Sequence, residues 1–266
     1  MTGAPRPRLV ATDLDGTLLR ADGTVSERTR AVLLELDRQG VPVVFTTGRP
    51  IRWMETLWSD VGGHGLAILS NGGIVYDVAT HTVRRARTID PATALEVAER
   101  VRADVPGAVF ALEKTGGFGV DETWPERKEA AGVPRGPLAE ILDDTVVKML
   151  ALHLEAAPEA FWRSVESVAG ELVTTTWSSS MPLVEMSARG VTKASTLEDL
   201  CHELGIASDE VVAFGDMPND VPLLTWAGTS YAMANGHETA AAAATHRAPH
   251  HDEDGVAQVL EELFDL

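Results

Sequence analysis

Residues 9–12, 41–46 and 66–70 are short, unbroken apolar runs, each ending where polar residues suddenly appear. Unbroken rather than alternating hydrophobicity marks strands buried on both faces, as in a parallel sheet with helices on either side. Between the first two runs, residues 26–39 turn helical: Val32, Leu33 and Leu36 share a face and Gly40 supplies a stop. After the second run, Pro50 suits a first helical position, and Ile51, Met54, Leu57, Trp58 and Val61 make the apolar stripe of a further helix. The third run closes in the turn sequence Asn71-Gly72-Gly73, and residues 74–77 with 83–87 suggest a hairpin.

The middle of the chain reads differently. Asp90-Pro91 is a helix start, with Asp as N-cap and Pro next, and that helix runs to about Ala103. Residues 108–113, 146–154 and 173–177 read as strands and 158–169 as a helix, while 114–145 are rich in Gly, Pro and charge and show no period. Residues 183–187 are the last strand of this insert or the return from it. The α/β pattern then resumes: helix 193–204, strand 211–214, helix 221–226, strand 230–233, helix 238–244 and helix 254–264. The sequence predicts an α/β domain split by an α+β insert, with a first core segment over 1–86, the insert over 87–184 and a second core segment over 185–266. Residues 246–251, with three histidines, read as a surface segment rather than a second metal site.

Composition narrows the partners. The 266 residues carry 22 basic against 40 acidic side chains, a formal charge of -18, which disfavours nucleic acid and anionic membrane. It leaves a small phosphorylated ligand open, since a local cation and helix N-termini can hold phosphate against the global field. The one cysteine, Cys201, reads as core filler in a helix and excludes a disulfide-stapled scaffold. No apolar run approaches the length of a membrane span, and the N-terminal residues lack the apolar stretch of a signal peptide, so a cytoplasmic location is expected.

In open α/β sheets ligands bind beyond the C-terminal ends of the strands. Four polar clusters fall at such ends: Asp13-Leu14-Asp15-Gly16-Thr17, Thr46-Thr47-Gly48-Arg49, Asn71-Gly72, and Gly215-Asp216 with Asn219-Asp220. Neighbouring carboxylates repel one another unless a cation sits among them, and an all-oxygen set suits Mg²⁺. Asp13 and Asp216, a backbone carbonyl near Asp15, and water would make such a site. Taken singly, Asp13 and Asp216 also fit ordinary turn aspartates. A metal beside a spare carboxylate allows either metal-activated water or direct carboxylate attack on phosphorus, and composition does not choose.

These motifs together resemble those of the haloacid dehalogenase-like (HAD) superfamily. DLDGT at 13–17, TTGR at 46–49, NGG at 71–73, Lys193 and GDMPND at 215–220 stand in that family's order. The insert between the second and third motifs is similar to the C2-type cap of the Cof-type phosphatases. The resemblance implies a Rossmann-like parallel-sheet core with an inserted α+β cap, and a Mg²⁺-dependent phosphomonoester hydrolase working through an aspartyl phosphate. It implies Asp13 as nucleophile, Asp15 as general acid and then base, and Thr47 and Lys193 as further catalytic groups. Gly16, Arg49, Asn71, Gly72 and Asn219 would face the substrate, and Asp13, Asp15, Asp216 and Asp220 would make the metal site. Thr17 would orient the nucleophile loop, and Asp220 would anchor either a metal-bound water or the lysine.

Cap residues would then set specificity. The sequence offers Lys114, Gly116, Gly117, Asp121 and Glu122 in a glycine-rich stretch, Trp177 with residues 178–180, and Glu185. A small phosphorylated sugar or polyol is the expected substrate. The alternatives are a phosphomutase on the same core, which would need a cap that the short 18–32 segment leaves no room for, and a non-catalytic phosphometabolite-binding protein, which need not keep all of Asp13, Asp15, Thr47, Lys193 and Asp216.

Overall fold

The computed structural model describes residues 6–55, 57–58, 65–177 and 181–266. Its core is built on β1 (Leu9–Thr12), α1 (Glu27–Arg38), β2 (Val43–Thr46), β3 (Leu66–Leu69), β4 (Ile74–Asp77) and β5 (Thr82–Ala86). The chain then enters the cap through α2 (Pro91–Asp104), β6 (Val109–Lys114), β7 (Gly117–Asp121), β8 (Arg135–Gly136), α3 (Leu138–Ile141), β9 (Val146–Leu152), α4 (Pro158–Ala169), β10 (Val173–Thr176) and β11 (Leu183–Ala188). It returns to the core through α5 (Lys193–Leu204), β12 (Val211–Gly215), α6 (Val221–Trp226), β13 (Thr229–Met233), α7 (Glu238–Ala243), β14 (His246–Ala248) and α8 (Gly255–Phe264).

The core sheet runs β14-β13-β12-β1-β2-β3-β4-β5. It is parallel from β14 to β3, and β4 and β5 add antiparallel at the edge. The all-apolar runs are explained by cover on both faces. Val32, Leu33 and Leu36 of α1 and Val259, Leu260 and Phe264 of α8 pack on one side. Leu197, Leu200 and Cys201 of α5 and Leu223 of α6 pack on the other. Burial pushes the Cys201 thiol up to about 11, which leaves it unreactive as core filler.

The cap sheet runs β10-β11-β9-β6-β7-β8. Phe110, Leu112, Met149, Ala151, Val184 and Met186 form one face with α2 and α4 over them. The opposite face carries Ala111, Phe118, Val120, Leu150 and Leu152, and with them Glu113, Lys148 and Glu185. That second face is turned to the C-terminal ends of the core strands.

Four expectations change. The helix expected after Pro50 is a single tight turn, Ile51–Trp53. The following residues are held by short-range bonds such as Met54 N–H to Ile51 C=O and Leu57 N–H to Met54 C=O. Met54, Leu57 and Trp58 are buried all the same, so their apolar stripe reflects packing on the core cluster rather than a helix face, and Val61 lies outside the described residues. The boundary expected at 184/185 falls inside β11, which is laddered to β10 on one side and β9 on the other, so the crossing comes after Ala188. The uncharted 114–145 stretch holds β7, β8 and α3. Residues 246–251 are not a loose surface segment: β14 pairs in parallel with β13, and His251 Nδ1 lies 2.7 Å from the carbonyl of Leu19.

One turn ties the end of β3 to the start of α5. Ser70, Asn71 and Gly72 all have positive φ, at 51°, 56° and 106°. A β-carbon on Gly72 would lie 2.3 Å from the Thr192 carbonyl oxygen. That position therefore needs glycine twice over, for its dihedral and for the close approach of the α5 N-terminus. Gly72→Ala is expected to lower the unfolding free energy by about 3 kcal/mol, read as a shift of the urea midpoint with an unchanged slope.

Candidate active site

The site lies where the strand-end loops of the core meet the polar face of the cap. Asp13 follows β1 directly, with its N–H donating to the Phe214 carbonyl at 3.0 Å. The loop after it turns sharply. Gly16 has φ +71°, and a β-carbon there would sit 2.3 Å from Asp216 Oδ2. Glycine is thus what lets the Asp13 loop close onto the neighbouring strand end. Asn235 Nδ2 donates to the Gly16 carbonyl at 2.7 Å and fixes the turn from the other side.

Lys193 is the first residue of α5 and is 1% exposed. Its Nζ lies 2.8 Å from Asp13 Oδ1 and 2.7 Å from Asp220 Oδ1. An ammonium at a helix N-terminus opposes the helix dipole. Here burial also works against the charge, but Asp13 and Asp220 outweigh both and hold the lysine pKa above its ordinary value. Asp220 is fully committed: its other oxygen, Oδ2, accepts the N–H groups of Asp216 at 3.0 Å and Met217 at 3.1 Å. It therefore fixes the lysine and the Asp216 loop at once.

Asp13, Asp216 and Asp220 form one buried cluster in which one carboxylate oxygen from each lies within 4.8 Å of the others. Burial is the main cause that raises Asp13 well above the ordinary carboxylate range; Lys193 pulls the other way, and Asp220 and Asp216 add to the rise. Burial and the Asp220 charge push Asp216 up to about 7, although Thr17 Oγ1 donates to it at 3.2 Å. Three carboxyl groups meet one ammonium in a dry place, and without a further cation the cluster relieves the excess by holding on to protons, as the raised Asp13 and Asp216 show. Carboxylate oxygens in that excess are the donor set of a hard divalent cation.

The carboxylate of Asp15 is not part of this cluster. It is more than half exposed and forked onto Arg49, with Nε to Oδ2 at 2.8 Å and the second nitrogen to Oδ1 at 2.5 Å. A metal contact from Asp15 can come only from its backbone unless that fork opens. Thr47 is buried, and its Oγ1 accepts the N–H of Arg49 at 3.0 Å. Asn219 Nδ2 donates to Asn71 Oδ1 at 3.1 Å, and Asn71 Nδ2 donates to Glu185 Oε2 at 3.0 Å and to Thr176 Oγ1 at 3.1 Å. Gly48 has no room to spare, since a β-carbon would be 3.2 Å from Asn71 Oδ1. Gly72, behind the Asn71 turn, receives Thr196 Oγ1 on its carbonyl at 2.8 Å.

Beside these groups opens a cavity of ≈ 330 Å³, walled on the core side by Asp13, Asp15, Arg49 and Asn219 and on the cap side by Glu113, Lys148, Leu150 and Glu185. Of the cap residues that the sequence singled out, only Glu185 reaches it among the described residues. Lys114 is spent on Asp143 and the Ile141 carbonyl. Gly116 and Gly117 line a separate cleft. Asp121 pairs with Arg102, and Glu122 belongs to another groove. Trp177 packs edge-on to His237, with ring centroids 5.9 Å apart, and residues 178–180 lie outside those described. His250, His251 and Asp252 cluster behind the Asp13 loop rather than in the cavity.

Lys148 was missed. It is 3% exposed, donates to the Gly48 carbonyl at 2.7 Å and pairs with Glu185. The signal was there: a lone lysine in the otherwise apolar strand VVKMLAL, which a purely structural strand has no reason to carry.

Comparison with known proteins agrees with this geometry. Residues 10–260 match the family model described as haloacid dehalogenase-like hydrolase. A phosphoglycolate phosphatase of Halorubrum lacusprofundi is 34% identical over 96% of this chain and 96% of its own. A 5-amino-6-(5-phospho-D-ribitylamino)uracil phosphatase of Bacillus subtilis is 28% identical over 98% of this chain and 99% of its own. A crystal structure of a Streptococcus mutans protein superposes with a TM-score of 0.84 at 21% identity, covering 98% of this chain and 100% of that one.

Removing the buried ammonium tests the charge balance directly. Lys193→Met should lower the unfolding free energy at pH 7 by about 3 kcal/mol, because Asp13 and Asp220 stay buried without their partner. The sign with pH is fixed. Carboxylates whose folded pKa lies above the unfolded value bind more protons in the folded state, so stability falls as pH rises between the two. The variant should therefore regain stability on going from pH 7 to pH 5, as read from denaturant midpoints.

Proposed function

The chain belongs to the haloacid dehalogenase-like hydrolases, and on that footing we propose that it is a Mg²⁺-dependent phosphatase of small phosphorylated metabolites, with Asp13 as its nucleophile. The observation that carries this is the buried cluster of three carboxyl groups, Asp13, Asp216 and Asp220, with Lys193 as its one cation. Asp13, Asp216 and the backbone carbonyl of Asp15 would hold the magnesium ion, while Asp220 serves as an anchor. When bound, the ion supplies positive charge to the phosphoryl oxygens and lowers the repulsion between carboxylate and phosphate.

The residues of the chain do the rest. Lys193 holds Asp13 by Oδ1, which leaves Oδ2 to attack phosphorus in line. The ester P–O bond breaks and Asp15 gives its proton to the departing oxygen. Water then attacks the phosphorus of the aspartyl phosphate and loses its proton to Asp15, the P–O bond to Asp13 breaks, and phosphate leaves. Arg49 orients Asp15 through the fork it already makes and must release it for the proton transfers. Thr47, Asn71 and Asn219 line the phosphoryl side and supply hydrogen bonds to it. The cap, which we take to run from about residue 87 through Ala188, covers the site and limits water.

Relatives on record act on phosphoglycolate and on 5-amino-6-(5-phospho-D-ribitylamino)uracil, so a phosphomonoester of a small metabolite is the substrate class that both support. No helix among the described residues is long and apolar enough to cross a membrane, which fits a substrate met in water. Phosphate release from p-nitrophenyl phosphate is expected to require Mg²⁺, to stop with EDTA, and to fall at least about 10³-fold in Asp13→Asn. Full activity in that variant would remove Asp13 from the nucleophile role.

A further inference from the structure

A second set of metal-ligating side chains stands apart from the buried carboxylates. His250, His251 and Asp252 each offer one ligand atom within 4.8 Å of the others. They sit in the turn between β14 and α8. Asp252 Oδ2 lies 3.8 Å from His250 Nδ1 and 3.8 Å from His251 Nε2. Atoms bound to zinc at about 2.1 Å in a tetrahedron stand about 3.4 Å apart, so each of these two spacings needs to close by only about 0.4 Å to share an ion.

The other ends of two of these side chains are already held, which fixes the atom each presents. His251 Nδ1 is 2.7 Å from the Leu19 carbonyl. A carbonyl only accepts, so Nδ1 carries the proton and Nε2 the lone pair of the neutral ring. Asp252 Oδ1 accepts the Ala21 N–H at 2.8 Å, which leaves Oδ2 to face the histidines. Metal sites orient their ligands in this way, a histidine through a backbone carbonyl and a carboxylate through a hydrogen-bond donor. Neither His251 Nε2 nor Asp252 Oδ2 meets a hydrogen-bond donor among the described residues. The His251 side chain is 12% exposed, against 41% and 46% for His250 and Asp252, so the group opens to water on one side. His250 Nδ1 accepts the Asp252 N–H at 3.2 Å, and a small turn of its exposed ring trades that long bond for an ion. Two imidazoles and one carboxylate, with a further position open to water, are zinc ligands. The nitrogen donors set this group apart from the all-oxygen Asp13 cluster, which suits magnesium.

We propose that His250, His251 and Asp252 form a second metal site, for Zn²⁺, that braces the nucleophile loop from behind. The bracing follows from what the turn already grips. His251 N–H donates to Asn235 Oδ1 at 3.1 Å, and Asn235 Nδ2 donates to the Gly16 carbonyl at 2.7 Å. Arg20 pairs with Asp254 at 2.9 Å. Leu19 and Ala21 are bonded to two of the ligands themselves. An ion held by the three side chains cross-links residues 16–21 to residues 250–254.

The test is calorimetric titration of the full chain with Zn²⁺, read as equivalents bound and their dissociation constants. The wild type should bind two equivalents, one at each cluster. His250→Ala and Asp252→Asn should each weaken one of them at least about 10-fold, while Asp216→Asn, in the other cluster, leaves that one unchanged. Exchange of the Ala21 amide hydrogen should slow on adding Zn²⁺ to the wild type and not to His250→Ala. Circular dichroism shows which variants are folded, and either of the two in the turn suffices. A wild type whose zinc binding is all lost in Asp216→Asn, or whose binding is unchanged in a folded variant of the turn, overturns the proposal. Zinc bound at the turn with Ala21 exchange unchanged overturns the bracing. No turnover is measured, so the phosphatase reading stands or falls separately.

Discussion

A single buried ammonium holds the site together. Lys193 comes from the first turn of α5, where the helix dipole disfavours it, and it is stable there only because Asp13 and Asp220 meet it within 2.8 Å. Each partner ties in another part of the chain. Asp13 brings the end of β1, Asp220 brings the backbone of the β12 loop through two N–H bonds, and α5 itself follows the return from the cap. The capping box of Thr192 and Ser195 fixes where that helix begins, and hence where the ammonium points. Remove the lysine and the carboxylates repel. Remove either carboxylate and a buried charge loses a partner. This interdependence is why the site is a property of the core and not of one loop.

The same economy of charge extends to the cap. Glu185 reaches the core through Asn71, Lys148 reaches it through the Gly48 carbonyl, and Glu113 reaches it through Arg52. All three bridges land on the loops after β2 and β3, which also present Thr47 and Arg49. Cap position and phosphoryl-side geometry are therefore coupled: moving the cap pulls on Asn71 and Gly48 directly.

The core was legible because burial on both faces writes itself as unbroken apolar runs, and strand ends show as abrupt polar residues. Helices with clear starts, such as α5 after its Thr192 cap and α4 with Pro158 as its first residue, were readable to the residue. What the sequence hid has physical causes. The stripe Ile51, Met54, Leu57 and Trp58 looks helical because its apolar residues are buried, yet short-range bonds and the pull of Arg52 toward Glu113 keep it a turn. Edge strand β14 is only three residues long and carries His246 and Arg247, so no period marks it. Of the motif residues, Asp13, Lys193 and Asp216 meet in one buried cluster and Asn71 bonds to Asn219, while the Asp15 carboxylate turns to Arg49. Lys148 was overlooked because its partners, Gly48 and Glu185, are distant in sequence and only the fold joins them.

The central claim is that Asp13, held by Lys193, takes the phosphoryl group itself. It is tested by mixing Asp15→Asn with Mg²⁺ and p-nitrophenyl phosphate, whose phenolate leaves without a proton from Asp15, quenching in acid, and mapping added mass on peptides. With Asp15 unable to activate water, the account predicts a phosphoryl group that accumulates on the peptide containing Asp13 and on no other. Phosphate release without any such adduct, or an adduct on a different residue, would contradict it.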